Sequence, residues 1–235
     1  MNHTDVDTDL AELLRPAKAL LLDFDGPICD VFGTLTAPTI AQRLRDLIDR
    51  DDLPEDVATS GSALYVVEHS QIYGPKILRK IEAAMVVNEI EAVKGAPPTP
   101  GAAETIKAAA LSGRKVAVVS NNSVAAIQTY LDLHNLTQYV DVIKARTADN
   151  VDRLKPDPHL LICALDRLGV TSADAIFVGD SLSDITAARA ADVPVIGYAN
   201  KLGKADRFET AGADMIMPSM IDLASALRNP RSFDA

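Results

Sequence analysis

The run Leu20-Leu21-Leu22-Asp23-Phe24-Asp25-Gly26 is apolar until it ends in two carboxylates. Ile176-Phe177-Val178-Gly179-Asp180 repeats the design and leads on to Asp184. A buried strand has little reason to finish on acids unless something polar waits beyond its end. Val118-Val119-Ser120-Asn121 carries a hydroxyl and an amide to a third apolar terminus, and Lys155-Pro156 supplies a cation. Alternate strand residues point the same way, so Asp23 and Asp25 share one rim. Two carboxylates about 4 Å apart repel by roughly 4 kcal/mol at an effective dielectric near 20. Adding Asp180 worsens this unless a divalent cation joins them. Mg²⁺ suits the place, as a hard ion bound by one or two carboxylates, waters and phosphate oxygens. Lys155 and the Ser120 hydroxyl then serve the phosphate's other oxygens.

These residues need a scaffold that brings them to one edge. Strands are expected at Ala19 to Phe24, Lys115 to Ser120, Val140 to Ala145, Ala175 to Val178 and Val195 to Tyr198, with a weaker sixth at Asp214 to Met217. Helical patterns separate them, at Ala102 to Leu111, Val124 to Asn135, Pro158 to Leu168 and Asp184 to Ala191. Strand and helix in alternation predict an α/β fold, a doubly wound parallel sheet with right-handed crossovers and helices on both faces. Ligands of such Rossmann-like cores bind beyond the carboxyl ends of the strands. The stretch from Val31 to Lys94 breaks the rhythm and reads as consecutive helices, with one apolar stripe at Ile40, Leu44, Leu47 and Ile48 and another at Ile77, Ile81, Met85 and Ile90. The turn-rich Gly95-Ala96-Pro97-Pro98-Thr99-Pro100-Gly101 closes it. The expected organisation is a core of residues 1–30 and 95–235 with a smaller all-helical cap at 31–94. The tail Asn229 to Ala235 is expected to fray.

At 235 residues, 48% apolar and 24% charged, the composition is that of an ordinary globular protein. A net charge of -10 argues against nucleic acid, whose binding rests on clustered Lys and Arg. No apolar run approaches the roughly 18 residues that a bilayer-spanning helix needs. Met1 to Glu12 is acidic and lacks the features of a secretory leader, so a cytoplasmic location is expected. Cys29 and Cys163 have no metal-ligand spacing and are too few for a disulfide framework. Cys163 reads as a small core residue and Cys29 as a bystander near the acids. The sequence leaves monomer and dimer both open.

Taken together, the four motifs resemble the haloacid dehalogenase-like hydrolase superfamily, in its phosphoglycolate phosphatase-like branch. Asp23-Phe24-Asp25-Gly26-Pro27-Ile28-Cys29-Asp30 is similar to its first motif and Val118-Val119-Ser120-Asn121 to its second. Lys155-Pro156 resembles the third, and Gly179-Asp180-Ser181-Leu182-Ser183-Asp184 the fourth. The resemblance implies a phosphatase in which Asp23 attacks phosphorus and becomes phosphorylated. It makes Asp25 the acid and then the base. It implies that Ser120, the Asn121 N–H and Lys155 hold the phosphoryl group. Asp23, the Asp25 main-chain carbonyl and Asp180 would hold Mg²⁺, with Asp184 close by. Family members that cleave carbon–halogen bonds lack the second Asp, because halide departs without a proton; an alkoxide needs one. Pro27 departs from the usual Thr or Val and stiffens the turn after Gly26.

The resemblance also makes 31–94 a cap that closes over the site, excludes water and selects the leaving group. His69, Tyr73, Lys76 and Arg79, around the Tyr73-Gly74-Pro75 break, are candidate substrate contacts; a solvated helix face is the simpler reading of the two cations. Asn200-Lys201 either borders the pocket or is an ordinary polar loop. The expected partner is a small phosphorylated metabolite. A phosphomutase of the same fold would use the same nucleophile. A non-catalytic phosphate binder would keep the residues without turnover, and a signalling receiver would place Lys-Pro after the last core strand rather than before Gly179-Asp180.

Overall fold

The computed structural model describes residues 10–48 and 53–228. The tail beyond Arg228 lies outside them. Six strands form one parallel sheet: β1 (Ala19–Leu22), β2 (Lys115–Ser123), β3 (Val142–Arg146), β4 (Ala175–Gly179), β5 (Val195–Tyr198) and β6 (Met215–Met217). Their order is β3-β2-β1-β4-β5-β6. The chain therefore winds outward in one direction from β1, returns beside it at β4, and winds outward in the other. That reversal opens a crevice at the carboxyl ends of β1 and β4, where an α/β sheet accepts ligands.

Both faces of the sheet are covered. Leu20, Leu22, Val116, Val118, Ile176 and Val178 point to one side. Ala19, Leu21, Ala117, Val119, Ala175 and Phe177 point to the other. This period-two alternation on uniformly apolar strands is what burial on both faces requires. On the first side lie α5 (Ala102–Leu111), α6 (Val124–Leu133) and α10 (Met220–Arg228); on the second lie α7 (His159–Leu168), α8 (Leu182–Ala190) and α9 (Lys204–Thr210). The sequence reading missed α9 and α10. Each is short, and α9 buries a single large side chain, Phe208, so its apolar pattern is faint.

Between β1 and α5 the chain builds α1 (Ala37–Arg45), α2 (Glu55–Thr59), α3 (Ala63–His69) and α4 (Pro75–Val93) around a separate cluster of Ile40, Leu44, Val57, Val66, Ile81 and Met85. Helix α4 has 19 residues, about 28 Å at 1.5 Å per residue. Ala92 and Val93, at its far end, join the first core cluster, so one helix crosses from the helical insertion to the sheet. The chain leaves the core at Ile28–Asp30 and returns at Pro97–Thr99. The Asp30 N–H donates to Pro97 O at 3.0 Å and the Thr99 N–H to Ile28 O at 3.0 Å. The two connections thus form one antiparallel strap. Leu64 of α3 packs against the second core cluster, and Val151 of the core joins the insertion's own cluster. The helical insertion rests on the sheet edge.

Candidate functional site

Strand β1 stops at Leu22, two residues earlier than the sequence pattern suggests. The parallel ladder still reaches Asp23, whose N–H donates to Val178 O at 2.9 Å. The chain then turns through Gly26, whose φ is +103°. A Cβ there would lie 2.3 Å from Asp180 Cγ, so only glycine lets the β1 turn close on the β4 terminus. Asp180 follows β4 directly. Asp184 sits in the first turn of α8, fully buried, in a capping box with Ser181. Its Oδ2 accepts from the Asp180 N–H at 3.1 Å, the Ser181 N–H at 2.9 Å and the Ser181 hydroxyl at 2.7 Å.

That leaves Asp184 Oδ1 for Lys155, whose Nζ donates to it at 2.6 Å and to Val119 O at 3.0 Å. Lys155 Nζ also lies 2.8 Å from Asp23 Oδ1, but off the line of a hydrogen bond, and that oxygen has no other partner. One ammonium thus faces two buried carboxylates. Burial pulls Lys155 down, yet Asp184 and Asp23 outweigh it and hold the ammonium above the ordinary lysine value. Burial and the Asp184 charge push Asp23 up to about 7 despite Lys155. Burial also raises Asp25, to about 6, against the Val31 N–H that donates to its Oδ1 at 2.9 Å. Asp180 is raised by burial too, with Lys204 working the other way from 2.6 Å.

Carboxylate oxygens of Asp23, Asp180 and Asp184 lie within 4.8 Å of one another. Burial disfavours the charges of Asp23 and Asp180, and Asp184 adds a third carboxylate beside them. A hard divalent cation would relieve this crowding, so the donor set fits a divalent metal ion. The Asp25 carboxylate stands outside this triad, which leaves the Asp25 main-chain carbonyl as the group expected to face a metal.

Ser120, Asn121 and Lys155 line the same cavity as the acids. Buried Ser120 donates to Asn122 Oδ1 at 3.1 Å. Asn121 uses its side chain to clamp the Lys155 loop, accepting from the Lys155 N–H and donating to the Lys155 carbonyl, both at 2.9 Å. Asn200 reaches Asp180 Oδ2 at 3.5 Å, so this loop does border the acids. Cys29 is buried behind the Asp25 turn, and burial raises its thiol well above the usual range.

A cavity of about 200 Å³ opens over these groups. Its wall on the helical insertion comes from Ala37, Ser62, Ala63, Leu64, Met85 and Glu89. His69, Tyr73, Lys76 and Arg79 do not line it. His69 packs edge-on against Tyr73 at 5.7 Å, and Lys76 and Arg79 are exposed on the first turns of α4. The ten residue steps from Arg79 to Glu89 span about 15 Å of helix, and it is the Glu89 end that meets the sheet.

Three groups at the site went unrecognised in the sequence. Fully buried Arg146 ends β3; its Nη2 donates to Glu89 Oε2 at 2.7 Å, its Nη1 lies 2.5 Å from Glu82 Oε2, and its Nε donates to Asn121 O at 3.0 Å. Glu89 also accepts from the Ser123 N–H at 2.9 Å and Asn122 Nδ2 at 3.2 Å. This network binds α4 to the end of β2. Glu82 and Glu89 are seven apart, hence on one helix face, and a charge ending an apolar strand was the available signal. Lys204, which donates to both Asp180 O and Asp180 Oδ2 at 2.6 Å, carried no signal.

The sequence model of a family described as haloacid dehalogenase-like hydrolase matches residues 20–198. "Phosphoglycolate phosphatase, plasmid" of Cupriavidus necator is 28% identical over 94% of the chain and 98% of its own length. Phosphoglycolate phosphatase of Salmonella paratyphi A is 32% identical over 57% of the chain, a match spanning 52%, about half, of that relative. Among solved structures, CbbY from Rhodobacter sphaeroides in complex with phosphate superposes with a TM-score of 0.69 at 21% identity, over 91% of the chain and all of that one.

Proposed function

Because the chain belongs to the haloacid dehalogenase-like hydrolase family and is an enzyme of its phosphatase kind, we propose that it is a Mg²⁺-dependent phosphomonoester hydrolase acting through an aspartyl-phosphate. The carrying observation is that Asp23, at the end of β1, faces the cavity with its Oδ1 2.8 Å from Lys155 Nζ and beside Asp180 and Asp184. In the first step an Asp23 oxygen attacks phosphorus and the bond to the ester oxygen breaks. Asp25 gives its proton to the departing alkoxide. In the second step Asp25 takes a proton from water as that water attacks phosphorus, the bond to Asp23 breaks, and inorganic phosphate leaves. Splitting the displacement in two lowers each barrier.

Asp23, the Asp25 main-chain carbonyl and Asp180, with Asp184 close by, are the groups that would hold Mg²⁺, which when bound neutralises charge on the phosphoryl oxygens. Ser120 and Lys155 serve the transferred group, and the Asn121 side chain keeps the lysine loop against β2. Asp184 acts through Lys155, holding its ammonium toward Asp23. Residues 31–94 serve as the cap, hinged on the paired connections at Ile28–Asp30 and Pro97–Thr99, and keep bulk water out while the phosphoryl group is transferred to Asp23. The substrate is a small phosphorylated metabolite, in keeping with the modest cavity.

Steady release of inorganic phosphate from an aryl phosphate by the purified chain with Mg²⁺ tests this reading. Wild type is expected to turn over and Asp23→Asn to fall by on the order of a thousandfold or more. Equal rates in the two proteins would remove the claim.

A further inference from the structure

The cavity wall opposite the acids carries information about what leaves. Phe32, Leu64 and Met85 present hydrocarbon, with Ala37 and Ala63 between them. Ser62 is the neutral polar group on that side. Its oxygen already accepts the Tyr65 N–H at 3.1 Å, which leaves its own proton to donate. The remaining polar residue from the cap is Glu89, an acid. Its carboxylate is committed to Arg146, and Arg146 is shared with Glu82, so two carboxylates face one guanidinium and the cluster brings no spare positive charge.

Among the described lining residues the one cation is Lys155, already engaged by Asp184, Asp23 and Val119 O on the opposite, phosphoryl side. These are the surroundings with the cap seated, since Leu64 packs into the second core cluster and Met85 is buried. An anionic leaving group would put a second charge against hydrocarbon and beside Glu89, without a partner. Burying an unpaired carboxylate is strongly unfavourable.

We propose that this enzyme selects phosphate esters of small uncharged alcohols, whose carbon skeleton meets Phe32, Leu64 and Met85 and whose hydroxyl accepts from Ser62, and that it disfavours phosphorylated acids. The proposal rests on the phosphatase reading above, and it departs from the acid substrate named in the relatives. The discriminating pair is 2-hydroxyethyl phosphate and 2-phosphoglycolate, which differ essentially in a hydroxymethyl against a carboxylate. With the full chain and Mg²⁺, the neutral ester is expected to have a kcat/KM at least tenfold higher. Replacing Leu64→Arg is expected to shift the ratio of the two values toward phosphoglycolate by tenfold or more. Equal or better turnover of phosphoglycolate by wild type overturns the selectivity while leaving the phosphatase reading intact, with an aryl phosphate as the independent check on turnover. If none of the three esters is hydrolysed, the phosphatase reading falls. Calorimetric binding of the same pair to the unmodified protein then decides the selectivity: tighter 2-hydroxyethyl phosphate supports it, and equal or tighter phosphoglycolate ends it.

Discussion

Lys155 is the residue on which most of the site's electrostatics depends. It faces Asp23 and Asp184 with almost no exposure to solvent, so removing its charge leaves two buried carboxylates uncompensated. Breaking such a buried pair costs about 3–5 kcal/mol. Lys155→Met is therefore expected to lower the urea unfolding midpoint as well as phosphate release. An unchanged midpoint would mean that the carboxylates find another partner. Gly26 is the second sensitive position. In Gly26→Ala the methyl would meet Asp180 Cγ at 2.3 Å, at a φ that side chains rarely adopt. The left-handed backbone alone costs roughly 1–2 kcal/mol. Asp180 must shift, so Mg²⁺ affinity measured by calorimetry should drop along with stability; unaltered affinity would count against Asp180 as a ligand.

At the scale of elements, the unusual feature is how α4 is held. A long helix that leaves the insertion and docks beside the end of β2 could have used hydrocarbon alone. Instead Arg146 from β3 reaches Glu82 and Glu89, and Glu89 reaches Ser123 and Asn122. Burial raises Glu82 above the ordinary carboxyl value, with Arg146 pulling it back, which marks a network under opposing demands. Arg146→Met should destabilise the fold by about 3–5 kcal/mol, because two acids lose their counter-charge. The triple change Arg146→Met, Glu82→Leu, Glu89→Leu should recover much of that loss in thermal melts, since apolar residues often replace buried ion clusters at little cost. If the single and triple variants melt together, the charges do not set the cost.

For the molecule as a whole, a divalent ion held by the acids at the crevice would tie stability to metal. A ligand that binds only the folded state stabilises it by about 2.7 kcal/mol at a hundredfold excess over its Kd. Mg²⁺ is expected to raise Tm in wild type and far less in Asp180→Asn; equal shifts would mean that the ion acts elsewhere. Much of this architecture could be read from the chain. The strands, their order of helices, the three polar strand ends and Lys155-Pro156 are runs of neighbouring residues, and local sequence carries them: β5 was placed to the residue, and Asp23, Asp180, Asp184, Lys155 and Ser120 do meet. The cavity wall on the helical insertion could not be read in the same way. His69, Tyr73, Lys76 and Arg79 cluster in sequence around a break, yet α4 approaches the sheet with its other end, and that direction depends on packing between units rather than on any local pattern. Arg146 and Glu89 stand 57 residues apart, and Lys204 and Asp180 24 apart, in segments with nothing to link them until the sheet closes. Chemistry carried by contiguous motifs announces itself in the residue string. Selectivity, made by side chains that meet only when two packed units come together, needs the fold.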